Sequence, residues 1–256
     1  LSYQQCQRRL RFKRPLARFI TEAPALHHGV AMCRNELSFA EFKRALAFAQ
    51  PFLELIKVKE GFVATGRYVL NDGPHSDGPI ENFEIEILVD QNFPKIEPIV
   101  RETAGRIPRE IDRHMYGSSR CCTCVWEEWL AISDDVSFSG FVQGPLHNFF
   151  LSQLHFELHD DWPFGERSHG SAGFVESVSR ILGFRVNRTE ALVHLNTLTA
   201  EKIKGHRLCV CGSNKKVRDC DPDHIDKLRT SLDLVNLSKL KSRLLSQMKV
   251  GRRSGR

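Results

Sequence analysis

Ile80-Glu-Asn-Phe-Glu-Ile-Glu-Ile-Leu-Val-Asp-Gln-Asn-Phe-Pro94 is the stretch on which the fold turns. Phe83, Ile85, Ile87 and Val89 alternate with Glu84, Glu86 and Asp90, a period of two that sends the apolar set to one side of a strand. Upstream, residues 61–70 (GFVATGRYVL) read as a second strand. The link Asn71-Asp-Gly-Pro-His-Ser-Asp-Gly-Pro79 is turn chemistry suited to an antiparallel pair. Downstream, Asn92-Phe93-Pro94 leads into a third strand expected around residues 95–103. Ahead of all of these, Phe39, Phe42, Leu46, Phe48, Ala49, Phe52 and Leu53 recur at helical spacing, with Ser38 as N-cap and Glu41 three residues on. A helix followed by a strand meander predicts an α+β fold rather than a doubly wound parallel sheet.

The remainder reads as helical. Residues 137–158 carry Phe138, Phe141, Val142, Leu146, Phe149, Phe150, Leu154 and Phe156, an aromatic stripe that suits a core-facing helix. Trp162-Pro-Phe-Gly-Glu-Arg-Ser-His-Gly170 interrupts as a loop, which presents Arg167 and His169 as minor functional candidates. Short helices are expected over 172–183 and 189–199, and a basic helix with Leu228, Leu232, Val235, Leu240 and Leu244 follows. The spacing divides the chain into a basic leader over 1–36, expected to be disordered, and a body over 37–160. Beyond these come a helical extension over 161–205, a cysteine motif over 206–224, and a basic helix and tail over 225–256.

Composition sets limits. The 256 residues, 41% hydrophobic and 27% charged, can build one sizeable core with a small appended module. No run reaches the eighteen or so apolar residues that a membrane helix needs, and no signal-peptide h-region follows the basic start, so a cytoplasmic protein without a membrane partner is expected. Met32 stands just before the first good helix, which fits a mis-started leader; an organelle transit peptide fits the same composition less well. Eight cysteines, three of them almost adjacent, suit a reducing compartment better than a disulfide scaffold. The net charge of +6 is unevenly spread: residues 1–20 hold six Lys/Arg and no acid, and residues 201–256 hold fifteen Lys/Arg against six Asp/Glu. An acidic middle with basic ends suits nucleic acid or an acidic protein surface, although such ends are commonly just solvated tails.

The cysteines fall into two groups. Cys121, Cys122 and Cys124 follow Gly117-Ser-Ser and precede a Trp/Glu-rich segment. Thiols are crowded in this way for metal binding, redox chemistry or nucleophilic catalysis, and Arg113 and Arg120 supply positive charge that favours a thiolate. The bland alternative is that they are buried small hydrophobes. The second group, Cys209-Val-Cys211-Gly-Ser-Asn-Lys-Lys-Val-Arg-Asp-Cys220, has the spacing of a zinc site: two ligands from a tight turn at Gly212 and a third returning from the next segment. The fourth ligand is assigned to His224, with Asp221 and His206 behind it, and a closed set of four ligands makes the zinc structural.

Taken in order, the helix, the meander, Asn92-Phe93-Pro94, and the loop through His114 to a cysteine resemble the ubiquitin-conjugating enzyme fold, most closely its bacterial relatives in antiviral conjugation gene clusters. The resemblance covers roughly residues 38–158. It implies a cysteine that carries a ubiquitin-like modifier as a thioester, received from an activating enzyme and passed to a protein acceptor, with a nucleotide-cyclising defence enzyme as one acceptor. Cys122 is the favoured nucleophile, with Cys121 and Cys124 as alternates. Where the family has a His-Pro-Asn triplet this chain has His114-Met115-Tyr116, so an oxyanion donor must come from Tyr116 or from backbone amides near Ser118 and Ser119. Asp134, with Asp135, occupies a position where the family's acidic residues orient an incoming lysine; helix capping ahead of 137–158 is the competing role. The second cysteine group similarly resembles the SEC-C zinc motif.

Two classes of function follow. One is a conjugating enzyme whose zinc module docks a partner or target. The other is an adaptor of the same fold, inactive in transfer, that binds protein or nucleic acid through its zinc module and basic ends.

Overall fold

A computed structural model describes residues 39–71, 78–163, 170–220 and 223–250. The expected leader, the Ser38 cap, most of the link between the two long strands, Arg167, His169 and Asp221 lie outside the described residues, as does the side chain of Glu41.

Helix α1 (Phe39–Ala49) is shorter than its apolar pattern predicts, and Phe52 and Leu53 do not belong to it. Pro51 cannot continue the helix, because it lacks the N–H and its ring crowds the preceding turn. The chain instead turns at Gln50-Pro51 into strand β1 (Leu53–Val58), which the sequence reading missed. Gln50 makes the turn work. Its buried amide accepts from Val69 N at 2.7 Å and donates to Val69 O at 2.9 Å, replacing backbone partners at the sheet edge.

Strands β2 (Gly61–Asn71), β3 (Pro79–Asp90) and β4 (Ile99–Glu102) complete one four-stranded antiparallel sheet in the order β1-β2-β3-β4. The β1–β2 hairpin requires Gly61: its φ is +148°, and a Cβ there would fall 2.0 Å from Val89 O. The alternation read in β3 holds, since Phe83, Ile85, Ile87 and Val89 are all buried while Glu84 is exposed. The third expected strand shrinks to four residues because Gln91–Ile96 form turns, started by Asp90 Oδ1 accepting from Asn92 N at 2.7 Å.

The Trp/Glu-rich segment forms helix α2 (Trp126–Ile132). The aromatic stripe forms α3 (Phe138–Phe141), a π-turn (Val142–Leu146) and α4 (His147–His159). Pro145 sits inside the π-turn. There the buried Tyr68 hydroxyl donates to Val142 O at 3.1 Å, a fixed link between sheet and helix. Phe150 stacks on Phe83 with centroids 4.5 Å apart, and Phe42 packs on Phe138 at 4.7 Å.

Helices α5 (Gly170–Leu182) and α6 (Arg188–Leu198) match the expected positions, α6 starting in a capping box of Asn187 and Glu190. Helix α7 (Asp223–Val250) breaks at Asp233, where φ is +53°, and Asp233 Oδ1 caps the second half by accepting from Asn236 N at 2.9 Å. The break shifts the buried face: Leu228, Leu232, Leu237, Leu240 and Leu244 are buried, while Val235, expected among them, is 63% exposed. Helix α7 packs on α2, α5 and α6, so its apolar face joins the core of the body. Among the described residues no helix is long and apolar enough to cross a membrane.

Candidate functional sites

The thiol site is built on the edge of β4. Past Glu102 the chain loops through a 3-10 turn (Ile111–Arg113) and returns along the strand, where Glu102 N donates to Ser119 O at 3.1 Å and Cys121 N donates to Val100 O at 2.8 Å. It also folds on itself: Cys122 N donates to His114 O at 2.8 Å, and Tyr116 N donates to Arg120 O at 2.9 Å. His114, at φ +51°, and Ser119, at φ +61°, turn the chain at the two bends. The backbone of Cys122 is therefore tied to His114 and that of Cys121 to β4, while the Cys121 side chain is buried in the core and Cys122 and Cys124 stay half-buried.

The three thiols differ in surroundings. Burial pushes Cys121 up to about 12, against a hydrogen bond from the Glu102 backbone that favours its thiolate, and pushes Cys124 higher still, with the charges of Glu97 and Glu128 adding to it. Cys122 is also raised by burial, but it meets the most groups that favour a thiolate: a hydrogen bond from the Tyr116 hydroxyl and the charges of Arg120 and Arg243, with Glu97 opposing. Tyr116 is 49% exposed, and its own ionisation is raised, first by the neighbouring Cys122 charge and then by burial. Arg120 lies over the Tyr116 ring at 5.7 Å and pairs with Glu97 at 3.0 Å.

The remaining expected site residues divide. His114 has its ring against Trp162 at 5.1 Å, and its carbonyl, as noted, holds Cys122. Arg113 does not supply charge to the thiols: its guanidinium donates to Gln153 Oε1 at 2.9 and 3.1 Å and lies over Phe156 at 4.4 Å. Asp134 and Asp135 are exposed, and neither is the helix cap; Ser137 caps α3 with its hydroxyl accepting from Gly140 N at 3.1 Å. Asp135 Oδ1 accepts from Ser137 N at 2.9 Å, which shapes the turn before that cap.

Sequence reasoning missed Glu97, Glu127 and Arg243. Glu127 is almost fully buried on α2 and receives Arg243 of α7 at 3.1 and 3.2 Å; Glu128, equally buried, receives Arg180 of α5 at 3.2 Å. Their partners lie 116 and 52 residues away, and no local pattern marks such pairs.

The cysteine motif forms a second site. A short hairpin sets Leu208 against Lys216, and Cys209 N donates to Lys215 O at 2.8 Å. The sulfurs of Cys209, Cys211 and Cys220 lie within 4.8 Å of one another, close enough to share one metal ion. Gly212, at φ +78°, permits the turn, and Phe184 lies against it so closely that a Cβ would meet the ring at 2.8 Å. Cys211 and Ser213 Oγ lie 3.1 Å apart, and the hydrogen bond between them brings the Cys211 thiol down to about 7. That favours the thiolate a metal requires. Neither His206 nor His224 joins the 4.8 Å cluster. His224 nevertheless has a buried Nε2 without a hydrogen-bond partner, in the first turn of α7 four residues past Cys220, whereas His206 is exposed. The donor set thus fits a metal, and the unpartnered Nε2 makes His224 the better candidate for completing it.

Comparison of this chain with protein-family models, curated proteins and solved structures finds no match.

Proposed function

We propose that this chain is a cysteine acyl carrier of the ubiquitin-conjugating type, with Cys122 as its nucleophile and a structural SEC-C-like zinc site at Cys209, Cys211 and Cys220. The observation that carries the reading is the placement of Cys122: half-buried, its backbone amide donating to His114 O at 2.8 Å, with the Tyr116 phenol and Arg120 both favouring its thiolate. The order of helix, four-strand meander, loop, thiol and following helices is also the order expected of the ubiquitin-conjugating fold. Zinc is the metal that a site of thiolates with one histidine suits best.

In the reaction, the Cys122 sulfur attacks the thioester carbonyl of a modifier held on an activating enzyme, and the enzyme's thiol leaves. An amine of the acceptor then attacks the new thioester, forming the amide and releasing the Cys122 thiol. Each step passes through an oxyanion. The Tyr116 hydroxyl, with the backbone amides of Gly117 and Ser118, is the proposed donor set, since the Ser119 amide already donates to Tyr116 O at 2.9 Å. An acidic residue at the acceptor side, Asp134, is proposed to orient the incoming amine. The acceptor is a protein, a nucleotide-cyclising defence enzyme being the one the family resemblance favours.

One observation favours the adaptor reading. All three thiols are raised by burial, so none is poised as a thiolate at neutral pH in the free chain. In that reading the basic helix and hairpin bind an acidic protein or nucleic acid, and no thioester forms. The two are separated by incubating the full chain with a cognate activating enzyme, ATP and modifier. A larger species reversed by thiol reductants, and lost or converted to a reductant-stable oxyester in Cys122→Ser, supports transfer. Loss only in Cys121→Ser or Cys124→Ser moves the nucleophile, and full activity in the triple variant leaves the adaptor.

A further inference from the structure

We propose that Arg243, on the C-terminal helix, is a positioning residue of the Cys122 site: by neutralising buried Glu127 it keeps uncompensated negative charge away from the thiol. The inference deepens the assignment of Cys122 as the reactive thiol and makes α7 part of that site rather than a separate tail.

Glu97, just before β4, faces the thiol loop through Arg120, and Glu127, three residues past Cys124 on α2, lies near enough to Glu97 to raise it. Glu97 is held by Arg120 at 3.0 Å. Glu127 has only 6% of its side chain exposed and is held by Arg243 through both carboxylate oxygens at 3.1 and 3.2 Å. A buried carboxylate that loses its cation is costly and casts its charge on its neighbours. Helix α7 is fixed over this corner by Asn236, whose buried amide donates to Lys95 O at 3.2 Å, two residues before Glu97.

The electrostatics agree. Besides Tyr116, Cys122 feels Glu97 as an unfavourable charge and Arg120 and Arg243 as favourable ones. Glu97 itself, raised chiefly by burial, is influenced by Glu127 in the same direction and by Arg120 and Arg243 in the opposite one. The other groups facing the loop are Cys121 and Cys124 beside it, Glu102 next to Cys121, and Glu128 near Cys124 with its own partner Arg180. Removing Arg243 therefore leaves a net negative corner at alkaline pH, where carboxyl groups stay ionised, and makes the Cys122 thiolate harder to form.

The test is the pH dependence of iodoacetamide alkylation of the full chain, with modification at Cys122 read by fragmentation mass spectrometry. In Arg243→Gln the midpoint for Cys122 moves to higher pH, and the rate below it falls about threefold, the size of effect one partly solvated charge exerts. Arg243→Lys retains most of the wild-type rate. Glu127→Gln shifts the midpoint the other way, and the double variant returns it close to wild type. A role confined to holding α7 in place predicts something different: Glu127→Gln and Arg243→Gln would both loosen the helix and speed alkylation of Cys121 and Cys124 together. That result, or an unmoved midpoint in Arg243→Gln, overturns the proposal. Because no modifier or activating enzyme is present, the outcome is independent of whether a thioester ever forms.

Discussion

Asn236 and Lys95 are 141 residues apart, yet the Asn236 side-chain amide donates to the Lys95 carbonyl at 3.2 Å inside the fold. The contact joins the break in the C-terminal helix to the turn that carries Glu97. Asn236→Ala leaves that carbonyl without its partner and is expected to destabilise the chain by about 1–3 kcal/mol, the cost of a buried unsatisfied polar group. Urea denaturation of the full chain measures it. A change within a few tenths of a kcal/mol means that water replaces the amide.

At the thiol, Tyr116→Phe removes the hydroxyl that favours the Cys122 thiolate while keeping the ring under Arg120. The Cys122 alkylation midpoint should move to higher pH, with a rate at pH 8 roughly threefold to tenfold lower. Equal rates in the two proteins would show that the phenol does not reach the sulfur in solution.

Alkaline pH should weaken the fold through Cys121. Its pKa rises from the ordinary 9.0 to about 12 on folding, so the native state holds a proton that the unfolded chain releases between those values. Stability from this group is complete below about pH 9 and is lost as pH climbs toward 12, by at most roughly 1.4 kcal/mol per pH unit. Tyr68, also raised by burial, acts in the same direction at higher pH. Melting temperatures of the chain and of Cys121→Ala from pH 8 to 11 test this. The variant's curve should be the flatter one, and parallel curves would remove Cys121 as a cause.

The three-cysteine hairpin should copurify with one zinc per chain, measurable by elemental analysis. Its removal by a chelator should lower the melting temperature, because the ion stabilises only the folded ligand arrangement. Residues beyond about 200 are expected to loosen first, followed by contacts of α7 with the body. His224→Ala should weaken metal binding while His206→Ala leaves it unchanged. The reverse pattern would assign the fourth ligand to the exposed histidine.

Gly212→Ala tests the seat of the hairpin. The added methyl meets both a positive φ and the Phe184 ring, so a loss of about 1–3 kcal/mol is expected. Phe184→Ala in the same background should recover part of the loss if the ring is the obstacle. No recovery would locate the strain in the backbone alone.

Much of this molecule was legible in its residues. The alternation in β3 and the aromatic stripe of α3 and α4 each depend on local periodicity, which is the same in any context. So does the cysteine motif, because ligands a few residues apart meet through a tight turn whatever the rest of the chain does. Local pattern failed where two readings compete. Phe52 and Leu53 continue a helical spacing and also begin a strand, and Pro51 decides between them. Val235 continues the apolar face of a straight helix, but the break at Asp233 turns it outward.

The residues alone were enough for the helix-then-meander class, the separation of cysteines into two groups and the spacing that gathers the second. The fold alone decided that Cys121 is buried while Cys122 and Cys124 are half-buried, that Tyr116 and Arg120 favour the Cys122 thiolate, that Arg113 serves Gln153 instead, and that Arg243 pairs with Glu127. The physical reason is range. Hydrophobic period and turn geometry are written over a few neighbouring residues, while charge at Cys122 is set by groups brought together from the segment before β4, from the thiol loop and from a helix more than a hundred residues downstream.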